Sequence, residues 1–139
     1  MYKNILIPID VAEESSWQIA LPAAIDEARR VNATLHVLSV APEVPPQLAF
    51  LPADYGSKMT ANATEKLAAV VKAQVPDDVS VQQHVRQGSI YKEILKAAKE
   101  LSADLIVMAS HRPEFEDFLL GANAARVVRH AGCSVLVVR

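Results

Sequence analysis

The amino-acid sequence predicts an α/β fold, an open parallel sheet with helices on both faces, and three observations predict it. Ile5-Leu6-Ile7-Pro8-Ile9 and the segment from Asp104 to Ala109 are apolar without alternation, as strands are when both sheet faces are covered. Between such runs lie stretches with apolar residues at helical spacing. The two kinds of segment alternate along the chain as βαβαβαβαβ, the order that right-handed crossovers turn into a parallel sheet.

Taken in order, the first strand ends near Pro8, because proline cannot donate to a ladder. From Ser15 to Arg30 the stripe Trp17, Ala20, Leu21, Ala24, Ile25 and Ala28 predicts a helix with Ser15 or Ser16 as N-cap, bent at Pro22. Thr34 to Val40 is the second strand. Ala41 to Ser57, with five residues of proline or glycine, is a long loop of the kind that is usually functional or mobile. Met59 to Gln74 is the second helix, and Val79 to Val85 is a more polar, alternating strand suited to an edge. Gly88-Ser89 opens a helix carrying Ile94, Leu95, Ala98 and Leu101, with Ser89 as N-cap. After the strand ending at Ala109, residues 111–120 are polar and irregular. Gly121 to Ala131 is the last helix and Ser134 to Val138 the last strand.

The length suits one domain, 1–139, with a core that needs neither disulfide nor structural metal. With 51% hydrophobic and 22% charged residues the chain is globular, and its net charge of −2 offers no basic stripe for nucleic acid. The longest apolar runs are too short to cross a bilayer and the first residues lead straight into a strand, which places the protein in the cytoplasm without membrane insertion. Cys133 is the lone cysteine and reads as a small buried hydrophobe. The four histidines, at 36, 84, 111 and 130, have no partner at ligand spacing, so no metal site is expected.

In an open parallel sheet the ligand crevice lies beyond the carboxyl ends of the strands, where the strand order reverses. That singles out Pro8-Ile9-Asp10, Val37 to Val40 and Met108 to Arg112. Each has a plainer reading: Asp10 fits a cap of the next helix, and Val37 and Met108 fit the core; Asn123, at the start of the last helix, fits a first-turn capping residue.

Those stretches, with Leu119-Leu120-Gly121-Ala122-Asn123-Ala124-Ala125-Arg126-Val127-Val128-Arg129-His130-Ala131 and the closing Cys133-Ser134-Val135-Leu136-Val137-Val138-Arg139, resemble the universal stress protein family over the whole length. With Ser110-His111-Arg112-Pro113 the tail resembles its F/G subclass. The resemblance implies a Rossmann-like five-stranded sheet of order 3-2-1-4-5, a homodimer formed by antiparallel pairing of the last strands, and binding of ATP, AMP or ADP, with or without Mg2+. It places the adenine against the main chain of Val37 and Met108, Asp10 near the ribose beside Pro8 and Ile9, and the phosphates among Ala109, Ser110, His111, Arg112, Gly121, Ala122 and Asn123.

The chain departs from the Gly-x-x-Gly-x9-Gly-Ser/Thr loop of ATP-binding members. Ala109 and Arg112 stand at the first two glycines, eight residues instead of nine separate Arg112 from Gly121, and Ala122 replaces the hydroxyl residue. A Cβ at the glycine positions obstructs approach of the backbone to phosphate, and Pro113 removes a donor. Gly121-Ala122-Asn123 still opens a helix whose free N–H groups form an anion site, and Arg112 and His111 offer cations. The functions that follow are a nucleotide-binding stress-response regulator acting as a homodimer, a dimeric interaction protein without nucleotide and with an unknown protein partner, and a weak ATPase. Enzymatic turnover has the least support: the chain lacks a Gly-x-x-x-x-Gly-Lys-Ser/Thr loop, has no base beyond Asp10, and Ser110 and His111, being adjacent, point apart.

Overall fold

A computed structural model describes residues 1–43, 47, 50–110 and 120–139. Five strands, β1 (Asn4–Pro8), β2 (Thr34–Ala41), β3 (Val81–Gln87), β4 (Leu105–Ala109) and β5 (Ser134–Val138), form one sheet of order β3-β2-β1-β4-β5. Every neighbouring pair is parallel. The helices are α1 (Ala20–Val31), α2 (Tyr55–Gln74), α3 (Ile90–Glu100) and α4 (Ala122–His130).

Successive side chains along a strand point to opposite faces, and the sheet sorts its apolar residues accordingly. Ile5, Ile7, Leu35, Val37, Leu105 and Val107 face Leu21, Ala24 and Ile25 of α1 and Leu67 and Val71 of α2. Leu6, Leu38, Ile106 and Met108 face Ile94, Ala97 and Ala98 of α3 and Ala124 and Val127 of α4. The central strands therefore carry no alternation in hydrophobicity because both faces have a helical cover.

The boundaries depart from expectation by two residues or more at the starts of α1, α2 and β3. The segment after β1 begins with a single 3-10 turn at Glu14–Ser16, and α1 starts only at Ala20 with Ile19 as an N-cap that offers no side-chain acceptor. Pro22 thus sits in the first turn, where an N–H has no intrahelical partner to lose, and the bend expected there is not required. The Ser16 hydroxyl caps nothing; it is committed to the turn after β1, described below.

Helix α2 begins at Tyr55, four residues before the expected Met59, so the preceding connection is shorter than predicted. Its first turn lacks an apolar stripe. It is held instead by the Tyr55 N–H to the Pro52 carbonyl and by Lys58 on Asp54, and a Cβ on Gly56 would stand 3.3 Å from the Gln87 amide. That seat against the end of β3 is a tertiary contact with no local signature. Strand β3, expected from Val79, starts at Val81 and lies at the edge.

Candidate functional site

The crevice has a visible origin in the ladders. Strands β1 and β4 pair through Ile5–Leu105 and Leu6–Ile106 and then part, while β1–β2 pairing runs on to Pro8–Leu38 and β4–β5 pairing to Ala109–Val138. The connections leaving β1 and β4 also diverge, one to α1 on the first face and the other toward α4 on the second, which is the topological switch point of such a sheet. A cavity of about 310 Å³ opens there, at the low end of the size range of small-molecule sites.

Its walls come from five segments. Pro8, Ile9 and Asp10 end β1, and Glu13, Ser15 and Ser16 follow in the turn. Val40 closes β2. Ile90 and Ile94, one turn apart on α3, give an apolar side, with Ile90 left 42% exposed at the mouth. Met108, Ala109 and Ser110 end β4, and Gly121, Asn123 and Ala124 start α4.

Asp10 is held by its own turn. Its Oδ1 accepts the Ala12 N–H at 2.9 Å, and its N–H donates to Ser16 Oγ at 2.8 Å. The Ser16 hydroxyl in turn lies 2.7 Å from the Glu13 carbonyl and 3.0 Å from that of Asp10. Such short local bonds from Asp and Ser fix a turn without any regular ladder. They leave Asp10 exposed, with Oδ2 making no hydrogen bond among the described residues.

Across the opening, Gly121 is the N-cap of α4 in extended conformation and brings no side chain to cap the helix. The first-turn N–H groups and the positive end of the helix dipole thus meet the crevice at Gly121 and Asn123. Ser110, only 5% exposed, continues β4 by donating its N–H to the Val138 carbonyl at 3.1 Å. Among the described lining residues the charged side chains are two carboxylates, Asp10 and Glu13, and no cation accompanies them.

Of the residues singled out from sequence, Pro8, Ile9, Asp10, Met108, Ala109, Ser110, Gly121 and Asn123 line this cavity. Val37 does not. It is fully buried on the opposite face, packed with the α1 and α2 cluster, and Val40, three residues on and beyond the end of the β1 ladder, stands at the cavity instead. Ala122 is the first residue of α4 but is not among the lining residues. His111 and Arg112 lie outside the described residues. Sequence reasoning missed Glu13, Ser15, Ser16, Ile90, Ile94 and Ala124. Ile94 was legible as part of the apolar stripe of α3, but Ile90, one turn earlier, was not counted in that stripe, and nothing local said that either would face a cavity.

Two other features bear on chemistry. Among the described residues no three His, Cys, Asp or Glu side chains gather closely enough to hold a metal ion. Cys133 is half-buried, and burial first, then the Asp104 carboxylate, push its thiol up, away from thiolate reactivity.

A twisted parallel sheet wrapped by helices on both faces, with its crevice at the strand reversal, defines a Rossmann-like α/β protein. Residues 1–139 match the family model described as the universal stress protein family, and the chain belongs to that family. It is 36% identical to Universal stress protein G of Escherichia coli O157:H7, over all of both chains, which supports the G-type subclass. The solved universal stress protein UspA from Lactobacillus plantarum superposes with a TM-score of 0.80 at 26% identity, covering 99% of this chain and 98% of that one. A universal stress protein from Archaeoglobus fulgidus, solved in complex with dAMP, has a TM-score of 0.73 at 19% identity, covering 99% and 98%. No helix among the described residues is long and apolar enough to cross a membrane.

Proposed function

We propose that the crevice binds an adenine nucleotide and that the protein is a cytoplasmic stress-response regulator, a homodimer through β5 in which ligand occupancy, not turnover, is the signal. The observation that carries the reading is the pairing of unlike walls in one cavity. Val40, Ile90, Ile94 and Met108 offer an apolar slot for a flat base, while Asp10 and the start of α4 at Gly121 offer an acceptor for a ribose hydroxyl and donors for a phosphate. The dAMP complex of the Archaeoglobus neighbour is a fact about that protein; at its level of identity the likeness carries the fold, and the ligand reading here rests on the pocket.

Charge decides which nucleotide fits. A triphosphate brings close to four negative charges, and the described lining supplies one helix terminus against two carboxylates. ATP therefore requires Arg112 and His111 to face the phosphates, with Mg2+ held mainly by phosphate oxygens and at most by Asp10 from the protein. AMP makes the smaller demand. No residue is assigned a catalytic role.

The test is calorimetry of the purified chain with AMP, ADP and ATP, each with and without Mg2+. Binding is expected, and Asp10→Ala should weaken it by roughly tenfold, the cost of one hydrogen bond to a charged group. Gly121→Asp should weaken it further by setting a like charge at the helix start. Silence for all three nucleotides at millimolar concentration, from folded protein, removes the reading. The acidic, cation-free character of the described lining would then favour the second one, a dimeric interaction protein without nucleotide.

A further inference from the structure

Under α3, away from the crevice, three adjacent strands share a chain of polar side chains. His36 on β2 is 4% exposed, yet both ring nitrogens are matched. Nε2 lies 3.1 Å from Asn4 Oδ1 on β1, and Nδ1 lies 2.9 Å from His84 Nε2 on β3. The two rings stand 5.1 Å apart, centre to centre. Side chain contacts of this kind tie the edge strand β3 to the interior of the sheet in addition to its ladder.

The direction of each bond follows from the Asn4 carboxamide, whose oxygen faces His36. A carboxamide oxygen only accepts, so His36 Nε2 carries hydrogen; in a neutral ring Nδ1 is then bare and accepts from His84 Nε2–H. A first proton can settle on His84 Nδ1 without disturbing the chain. A second has no place except His36 Nδ1, where it would meet the Nε2–H of His84 at 2.9 Å, two donors and two cations face to face.

The charged groups around the pair add little relief. Arg86, two residues along β3, is paired with Glu93 and Glu100 of α3, and Lys96 stands near Glu100. On the β1 side the Asp104 carboxylate is engaged by the backbone N–H groups of Lys3 and Asn4. Burial first and then His84 hold His36 below its usual value of 6.5; burial first and then Arg86 do the same for His84.

We propose that the Asn4–His36–His84 chain is an acid-released latch on β3: neutral or singly protonated it binds the edge strand to the sheet, and the second proton opens it. The sign follows from linkage. The unfolded or detached rings take up protons at about 6.5, before the folded pair does, so the latch's contribution is complete above that pH and is lost as pH falls below it through the lowered folded values.

Amide hydrogen exchange on the full chain, corrected for intrinsic rates, reads this strand by strand. Between about pH 7.5 and pH 5 the opening of residues 81–87 is expected to rise at least roughly fivefold more than that of β1 and β4. His36→Gln, whose amide can accept from His84 and donate to Asn4 without titrating, should abolish that excess while keeping β3 protected at the higher pH. If His36→Gln does not fold, His84→Gln on the more open ring replaces it: the glutamine amide can turn its oxygen to a protonated His36, so the β3 excess should fall, and an excess as large as in the unaltered protein overturns the proposal. Equal opening of all strands in the unaltered protein, or a β3 excess that persists in the glutamine variant, overturns the proposal.

Discussion

The sheet has two edges of opposite character. Strand β3 shows Gln82, Gln83 and Gln87 to solvent, is overlaid by α2, and is anchored by His84 and by Arg86 to α3. Strand β5 is Ser-Val-Leu-Val-Val, with Leu136 43% exposed and Val128 of the adjoining α4 46% exposed. Polar residues and a covering helix blunt an edge against pairing, whereas a short apolar edge invites a partner. The comparison teaches that one edge is finished within the described residues of this chain and the other is suited to pairing; β5 is accordingly the surface on which the proposed homodimer rests.

Three changes would break or sharpen that contrast. The largest effect is expected beneath the finished edge: Leu67 of α2 is fully buried against β2 and β3, and Leu67→Ala should cost about 2–5 kcal/mol in denaturant unfolding. If the loss falls well below that range, α2 is not the cover that stabilises the β3 side. Next comes Gly88, where the chain leaves β3 at φ 147° and a Cβ would stand 3.0 Å from Glu93 Oε1. Gly88→Ala is expected to destabilise by about 1–3 kcal/mol, from a backbone region that L residues avoid, and thermal unfolding measures it. The smallest effect on folding belongs to the open edge. Leu136→Lys should shift monomer stability by no more than about 0.5 kcal/mol, yet shift the mass in light scattering from dimer to monomer. An unchanged mass would move the proposed interface off β5.

Much of the fold was legible because its causes are local. The continuous apolar runs at residues 5–9 and 104–109 and the stripes on α1, α3 and α4 are intrinsic to strands and helices covered on the expected faces, and Ser134–Val138 was bounded as found. Asp10, Met108 and Gly121 could be placed at a crevice because alternation implies a parallel sheet and a parallel sheet implies where its crevice lies. The adjacency of β1 and β4 is a different matter, since spacing does not order strands; it came from family resemblance and is seen in the pairing.

What tertiary structure alone decided has one physical character: it depends on where a partner stops. The β1–β4 ladder ends at Leu6 and Ile106, which opens the cavity, and β2 runs on past its pairing with β1 so that Val40 reaches it, while Val37, mid-strand and on the other face, is sealed in the core. Helix α2 starts at Tyr55 with Gly56 close against the Gln87 side chain, and His36 finds Asn4 and His84 across a sheet from positions 32 and 48 residues away. Sequence determines periodicity and the chemistry of each side chain, since these act within a turn or a strand. Contacts between segments remote in the chain are set by packing, and they decide which of those side chains meet.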